Sequence, residues 1–303
     1  MGRKKAYTNE EALFLNNVSY NMNVNMLFNL ATTIYQWEGL PETIDKRMLE
    51  KSLIKNGMVA FYENELNYLI ALPASPSKNF TLYGNPTAVQ VFGFNGMTTN
   101  LEYSEFLEES ECVLCFNNYT RSSDMPVIEL YANRLTNIER SLDVNISLQK
   151  FPALIKTAQE QKLTMENLMM KAMGNVPIIY GDKNMNLEGI EVLDLKIPFI
   201  ADKLYQTKRN LFSDILSYFG VESSAIDKKE RVQSAEVDSS LGFMQAQRAV
   251  HLIPRQQCAE QLNKKYGLNV SVNIAKEFTN IEKIFFKGGE DNGTVYNAVE
   301  NDM

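Results

Sequence analysis

Histidine occurs once in this 303-residue chain, tryptophan once and cysteine three times. One histidine excludes a His-rich metal site, and general-base work needs a positioned partner to which the sequence does not point. His251 lies on a helical stretch beside apolar residues and reads as a partly buried structural residue. Cys112 and Cys115 form a CxxC, yet ECVLCF reads as a strand, where a three-residue step sends the two side chains to opposite faces. Zinc needs four ligands and only Cys258 and His251 remain, so the cysteines read as core residues. With no secretory signal, this cysteine usage implies a reducing compartment and no disulfide framework.

Further absences narrow the function. No run of about 18 apolar residues exists, so no membrane partner is expected. The N-terminal MGRKKAYTNEEALFL starts positive but lacks the apolar core and cleavage site of a signal peptide. Ala6 stands where myristoylation requires Ser or Thr, and a cytosolic product is expected. The Walker A sequence, a GxGxxG after a strand and GxSxG are all missing. Asp182, Asn184 and Asn186 match the first ligands of a calcium loop, but Leu187 and Leu193 replace the required glycine and glutamate. Acidic pairs such as Glu108–Glu109 sit in solvated contexts unlike a metal nuclease. No catalytic residue, metal or cofactor is therefore expected. A net charge of -7 argues against a general nucleic-acid coat, which is normally basic.

What is present is organised around residues 198–240. PFIADKLYQTKRNLFSDILSYFG predicts a helix opened by Pro198 and closed by Gly220. Its Ile200, Leu204, Leu211, Ile215 and Phe219 form one apolar stripe. The following VESSAIDKKERVQSAEVDSS mixes charges with small residues, has no apolar face and reads as an exposed mobile loop. Upstream, Thr8 and Glu11 fit a capping box for a first helix running to Trp37. A second helix spans about Asp45 to Lys55, ending at Gly57. Residues 59–72 and 80–94 read as strands, 104–109 as a turn or two of helix, and 112–116 as a further strand.

Ser123–Asp124 caps a long helix whose Ile128, Tyr131, Leu135, Ile138, Leu142 and Ile146 make an apolar stripe. A small α/β unit follows, with strands near 153–156, 176–180 and 190–195 and a helix over 164–173. Two long helices bracketing this unit suggest a hairpin stalk with a knob at its tip. After the loop, residues 241–253 and 255–266 read as helices broken at Pro254, then 268–274 as a strand. The tail from Gly288 is polar and Gly-rich and is expected to be disordered.

WEGLPETI (37–44), LEKSLIKNGMVAFY (49–62), NVPIIY (175–180), IPFIADKL (197–204), IDKKERVQSAEVDSS (226–240) and KKYGLNVSVNI (264–274) resemble the head–tail connector of small podophages. This is the upper collar, or portal, protein of the phi29-like type. The likeness runs through most of the chain in order and at a matching length, and is poor over 73–103 and at the far C-terminus. It implies an α+β, mainly helical portal fold with long antiparallel stem helices, a small α/β clip, a β-containing wing and a helical crown. On that pattern 1–125 is wing, 126–150 stem helix, 151–197 clip, 198–220 stem helix and 221–240 a tunnel loop. Residues 241–303 supply wing and crown helices, a strand and the disordered tail.

The resemblance also implies a dodecameric ring at one capsid vertex, in the virion, assembled in the host cytoplasm. Its channel would pass double-stranded DNA without reading sequence, during packaging, retention and ejection. Implied partners are capsid and scaffolding proteins, a packaging ATPase docked directly or through an RNA ring, and a lower collar or tail protein. Of the family's two channel lysine belts, the second falls at Lys203. The first falls at Asp194, with Lys196 two residues on as a substitute on the same face. Lys228, Lys229 and Arg231 in the loop are further expected phosphate contacts, and Arg3, Lys4 and Lys5 form a basic arm for capsid or nucleic acid. In a monomer such lysines are a solvated face; in a ring each becomes a closed belt of like charge. An acidic wall with sparse positive belts lets a duplex slide, where a uniformly basic wall would grip it. The competing readings are a non-ring helical adaptor and a phage nuclease.

Overall fold

The computed structural model describes residues 9–77, 79–150, 153–156, 191–194, 198–221 and 234–279. The chain divides into two compact units, Met1–Thr136 with Arg209–Met303, and Asn137–Lys208. The division falls inside two helices, each of which contributes residues to both units.

In the larger unit, helix α1 (Asn9–Ala31) stops earlier than its apolar pattern suggests. The hydroxyls of Thr32 and Thr33 donate to the carbonyls of Asn29 and Leu30, closing the last turn. The chain then extends into strand β1 (Tyr35–Glu38), with Tyr35 and Trp37 inward and Gln36 and Glu38 outward. Trp37 is thus a strand residue, a correction to the helical reading. Helix α2 (Lys46–Asn56) has the expected ends: the Asp45 carboxylate accepts from the N–H groups of Arg47 and Met48 at 2.9 and 3.2 Å. Gly57, at φ +82°, donates its N–H to the Leu53 carbonyl at 2.7 Å.

Strands β2 (Met58–Glu63), β3 (Leu69–Pro76), β4 (Ala88–Phe92), β5 (Thr98–Glu102) and β6 (Val113–Phe116) form an antiparallel sheet in the order β5-β4-β3-β2-β6. The single strand expected over 59–72 is in fact the β2–β3 hairpin. The Asn64 side chain makes the turn by accepting from the N–H groups of Leu66 and Tyr68 at 3.0 and 2.9 Å. Residues 104–109 form turns, not a helix. Strands β2 and β6 are buried on both faces, while the edge strand β5 is largely exposed. Val113 and Cys115 enter the main core with Leu53, Phe61, Ile128, Ile215 and Leu262, while Cys112 and Leu114 enter a second core with Val89, Val91 and Leu101. The CxxC is split between two cores, as its spacing on a strand requires.

Helix α3 (Met125–Lys150) starts where the Met125 N–H meets the Ser123 hydroxyl at 3.1 Å. Helix α4 (Ala201–Tyr218) ends in Gly220 at φ +74°, with the Val221 N–H returning to the Leu216 carbonyl at 3.0 Å. Helix α5 (Ser234–Tyr266) runs 33 residues and corrects two expectations. It begins inside the segment read as loop, because its first turns are helical without an apolar face. It also continues through Pro254. Proline removes the bond to the carbonyl four residues back, and here that carbonyl, of Val250, accepts instead from the Tyr119 backbone N–H at 3.0 Å. A distant loop completes the helix. Strand β9 (Ser271–Ile274) then pairs antiparallel with β1, Trp37 opposite Val272.

In the smaller unit, strands β7 (Ala153–Lys156) and β8 (Glu191–Asp194) pair antiparallel, Ala153 opposite Asp194 and Lys156 opposite Glu191. The helix and strand expected over 164–173 and 176–180 lie outside the described residues, as does the tail from Gly288. The buried Asn145 of α3 donates to the Pro198 carbonyl at 3.1 Å and accepts from the Ile200 N–H at 3.2 Å. This clamp explains why α4 starts at Ala201 and not at Pro198. Lys208 and Glu139 pair at 2.7 Å, so within this unit α3 and α4 run antiparallel. Ile146 of the α3 stripe and nearby Val144 remain about half exposed.

Candidate functional site

Two features could carry function: exposed positive charge on α4, and a buried polar network where α2, the 117–124 loop, α4 and α5 meet. The network begins on α2. Its inward face is Leu49, Glu50, Leu53 and Ile54, so Glu50 enters the core with its apolar neighbours. Arg255 reaches the same place from α5 and is fully buried. Its guanidinium donates to the two Glu50 carboxylate oxygens, Nε at 3.0 Å to one and an amino nitrogen at 2.8 Å to the other. The remaining donors reach the carbonyl of Asn117, the Asn117 side chain at 3.0 Å and the His251 carbonyl at 2.9 Å. Trp37 Nε1–H donates to Glu50 at 2.6 Å, and the guanidinium lies 4.2 Å over the Tyr35 ring.

The second half of the network centres on Asp124. Its carboxylate accepts from the Asn117 and Asn118 amides at 2.7 and 3.1 Å and from the Tyr218 hydroxyl at 2.9 Å. His251 Nε2 lies 3.1 Å from the same carboxylate, and Nδ1 lies 3.2 Å from the Gln247 carbonyl. Burial acts to raise the Asp124 pKa, but the hydrogen bonds and charge of His251 with the Asn117 and Tyr218 donors outweigh it and hold the group below the usual carboxylate range. Burial likewise works against charge on Arg255, and Glu50 more than offsets it. The Cys112 thiol is pushed up to about 12 by burial, and Cys258 is raised well above its ordinary value by burial and by the neighbouring Cys115. These are inert core thiols.

This network is a joint. Its donors and acceptors are committed to one another, and it fixes the start of α3 and the end of α4 against α5. His251, read from sequence as partly buried, is 1% exposed and has the positioned partner that the sequence hid. Of the expected DNA contacts, Lys203 stands exposed near the start of α4. Lys196, Lys228, Lys229, Arg231, Arg3, Lys4 and Lys5 lie outside the described residues. Asp194 closes β8, opposite Ala153.

The phage connector (GP10) family model matches residues 5–279, nearly the whole chain. The chain belongs to the phage connector family. The likeness to head–tail connectors read from the sequence is thereby confirmed. A portal protein of Staphylococcus phage 44AHJD is 26% identical over 161 residues, which are 52% of this chain and 64% of that protein. The match spans less than two thirds of that relative's length. Among solved structures, the portal and tail of native bacteriophage P68 gives a TM-score of 0.49 at 20% identity, over 93% of this chain and 96% of that one. An HK97 family phage portal protein from Corynebacterium diphtheriae gives 0.45 at 13% identity, over 88% and 94%.

Sequence reading of this connector missed Glu50, Arg255 and Asn145 as organising residues and read Asp124 only as part of a helix cap. A signal for two of them was available. Glu50 shares a helical face with Leu49 and Leu53, and Arg255 follows His251 by four residues and precedes Cys258, Ala259 and Leu262 on one buried stripe. A charge on an apolar stripe marks a buried pair. Asp124 and Asn145 carry no comparable mark.

Proposed function

We propose that the chain assembles into a closed, about twelve-membered ring at one capsid vertex, whose channel passes double-stranded DNA during packaging, retention and ejection. The observation that carries this reading is the family match over residues 5–279. The role is structural and not enzymatic: the ring docks a packaging ATPase on one side and later the tail, within a shell of capsid protein. Residues 126–150 and 198–220 act as stem, 151–197 as clip, 1–125 as wing, 221–240 as tunnel loop and 241–303 as wing and crown. The half-exposed Val144 and Ile146 support burial against a neighbouring subunit. Lys203 faces the channel and meets phosphate as a belt; Lys196, Lys228, Lys229 and Arg231 add weak contacts of the same kind. Contact without base readout suits a duplex that must slide.

Native mass spectrometry with negative-stain imaging of the purified protein tests this. At 34.5 kDa per subunit, about twelve copies give a particle near ~400 kDa with a central hole. Monomer and dimer alone at micromolar concentration would overturn it and favour a helical adaptor.

A further inference from the structure

Phe106 is 72% exposed, yet it does not sit on a loose loop. Its N–H donates to the Ser104 hydroxyl at 3.1 Å, and its carbonyl accepts from the Glu109 N–H at 3.0 Å. Lys265 of α5 pins the turn by donating to the carbonyls of Leu107 and Ser110. Glu105, Glu108 and Glu109, its neighbours in the chain, are exposed acids; Glu105 accepts from the Asn85 amide and Glu109 from the Ser104 hydroxyl. The result is a preformed knob, one aromatic ring in an acidic stretch of chain.

A hollow of about 320 Å³ lies elsewhere on the same unit, floored by Phe28, Met48, Pro73 and Phe92 and rimmed by Lys51 and Lys55. Neither lysine has an ion-pair partner among the described residues. A space of this size takes a small apolar group such as one aromatic side chain. The β4–β5 register sets the two features apart. Ala88 pairs with Glu102, from which the chain runs on to the knob, and Phe92 of the hollow pairs with Thr98 at the far end of the ladder. That ladder is about 13 Å long, so a chain cannot fill its own hollow with its own knob.

We propose that the Phe106 knob of one copy seats in the Phe28–Met48–Phe92 hollow of the next, with Glu105, Glu108 and Glu109 meeting Lys51 and Lys55. Opposite charge and matching apolar character name a second copy as the occupant. A knob and a hollow at opposite ends of one sheet make a head-to-tail contact, the kind that closes into a ring when the rotation permits. The inference rests on the ring reading and supplies one of its interfaces.

The test uses two charge-reversed full-length variants, Lys51→Glu with Lys55→Glu, and Glu105→Lys with Glu108→Lys and Glu109→Lys. Circular dichroism confirms that each folds, and Phe106→Ser serves as a smaller alteration of the knob. Each variant alone should lose the ring species in native mass spectrometry. An equimolar mixture should recover it, because both kinds of contact then pair opposite charges around an alternating ring. A parent ring matched by both variants alone overturns this contact and leaves the hollow to another occupant, such as the chain's own residues 280–303. Variants that stay small when mixed overturn it as well. A parent that never assembles fails the ring reading itself and takes this contact with it.

Discussion

His251 and Asp124 meet at 3.1 Å with their side chains 1% and 2% exposed, 127 positions apart in the chain. The contact ties the middle of α5 to the start of α3. Because Asp124 is held below its unfolded pKa, its charge stabilises the fold above about pH 4 and that contribution is lost as pH falls through the folded value. Asp124→Asn should therefore lower stability at pH 7 and flatten its decline below about pH 4. Urea midpoints of parent and variant across pH 2.5 to 7 check this (about eight points suffice). Parallel curves would show that Asp124 is not the titrating group.

Glu50 and Arg255 form the other buried pair. Removing one partner leaves an unpaired charge in the core, so Glu50→Ala should cost about 3–5 kcal/mol. Replacing both with apolar groups, Glu50→Leu with Arg255→Met, should recover much of that loss. A double-mutant cycle on urea midpoints reads the coupling. A double variant as unstable as the sum of its singles would contradict a direct pair.

The ends of α2 and the opposed faces of the CxxC were legible because their causes are local. Asp45 and Gly57 bracket α2 within a dozen residues, and the spacing of Cys112 and Cys115 fixes opposite faces wherever the strand goes. The joint was illegible for the converse reason. Glu50 and Arg255 are 205 positions apart, and nothing near either residue names the other. The continuity of α5 was hidden in the same way, since the donor that replaces the Pro254 N–H belongs to Tyr119. The β1 strand was missed although Tyr35 and Trp37 alternate with polar residues, because the helical period before them was extended too far.

Gly220 and Gly267 both take left-handed backbone, at φ +74° and +64°. At Gly220 a Cβ would come within 2.4 Å of Arg248 Cα, whereas at Gly267 it meets open space. Gly267→Ala should cost only the conformational strain, about 1–2 kcal/mol. Gly220→Ala adds a backbone collision and should cost more than twice as much. Thermal midpoints of the two variants decide it; equal losses would mean that Arg248 yields freely.

Lys203→Ala should fold and assemble as the parent does, since exposed substitutions usually stay within about half a kcal/mol. On the proposed channel position its effect should appear in DNA: fewer full particles, and retention less sensitive to salt, because one belt of phosphate contacts would be lost. Counting full and empty heads at two ionic strengths measures it. Unchanged counts at both would remove Lys203 from the channel.

The Tyr119 N–H that completes α5 at Val250 also bears on the order of folding. The C-terminal half of α5 cannot join its N-terminal half as one capped ladder until the 117–124 loop is in place, 131 positions earlier in the chain. That loop leaves the ribosome long before Pro254 does, so vectorial synthesis supplies the mould before the part it shapes. A chain refolded from denaturant has no such schedule and must first close a large loop, an entropic delay that non-local contacts impose. The bond that closes the gap at Pro254 thus belongs to the tertiary fold of the larger unit and not to the helix alone.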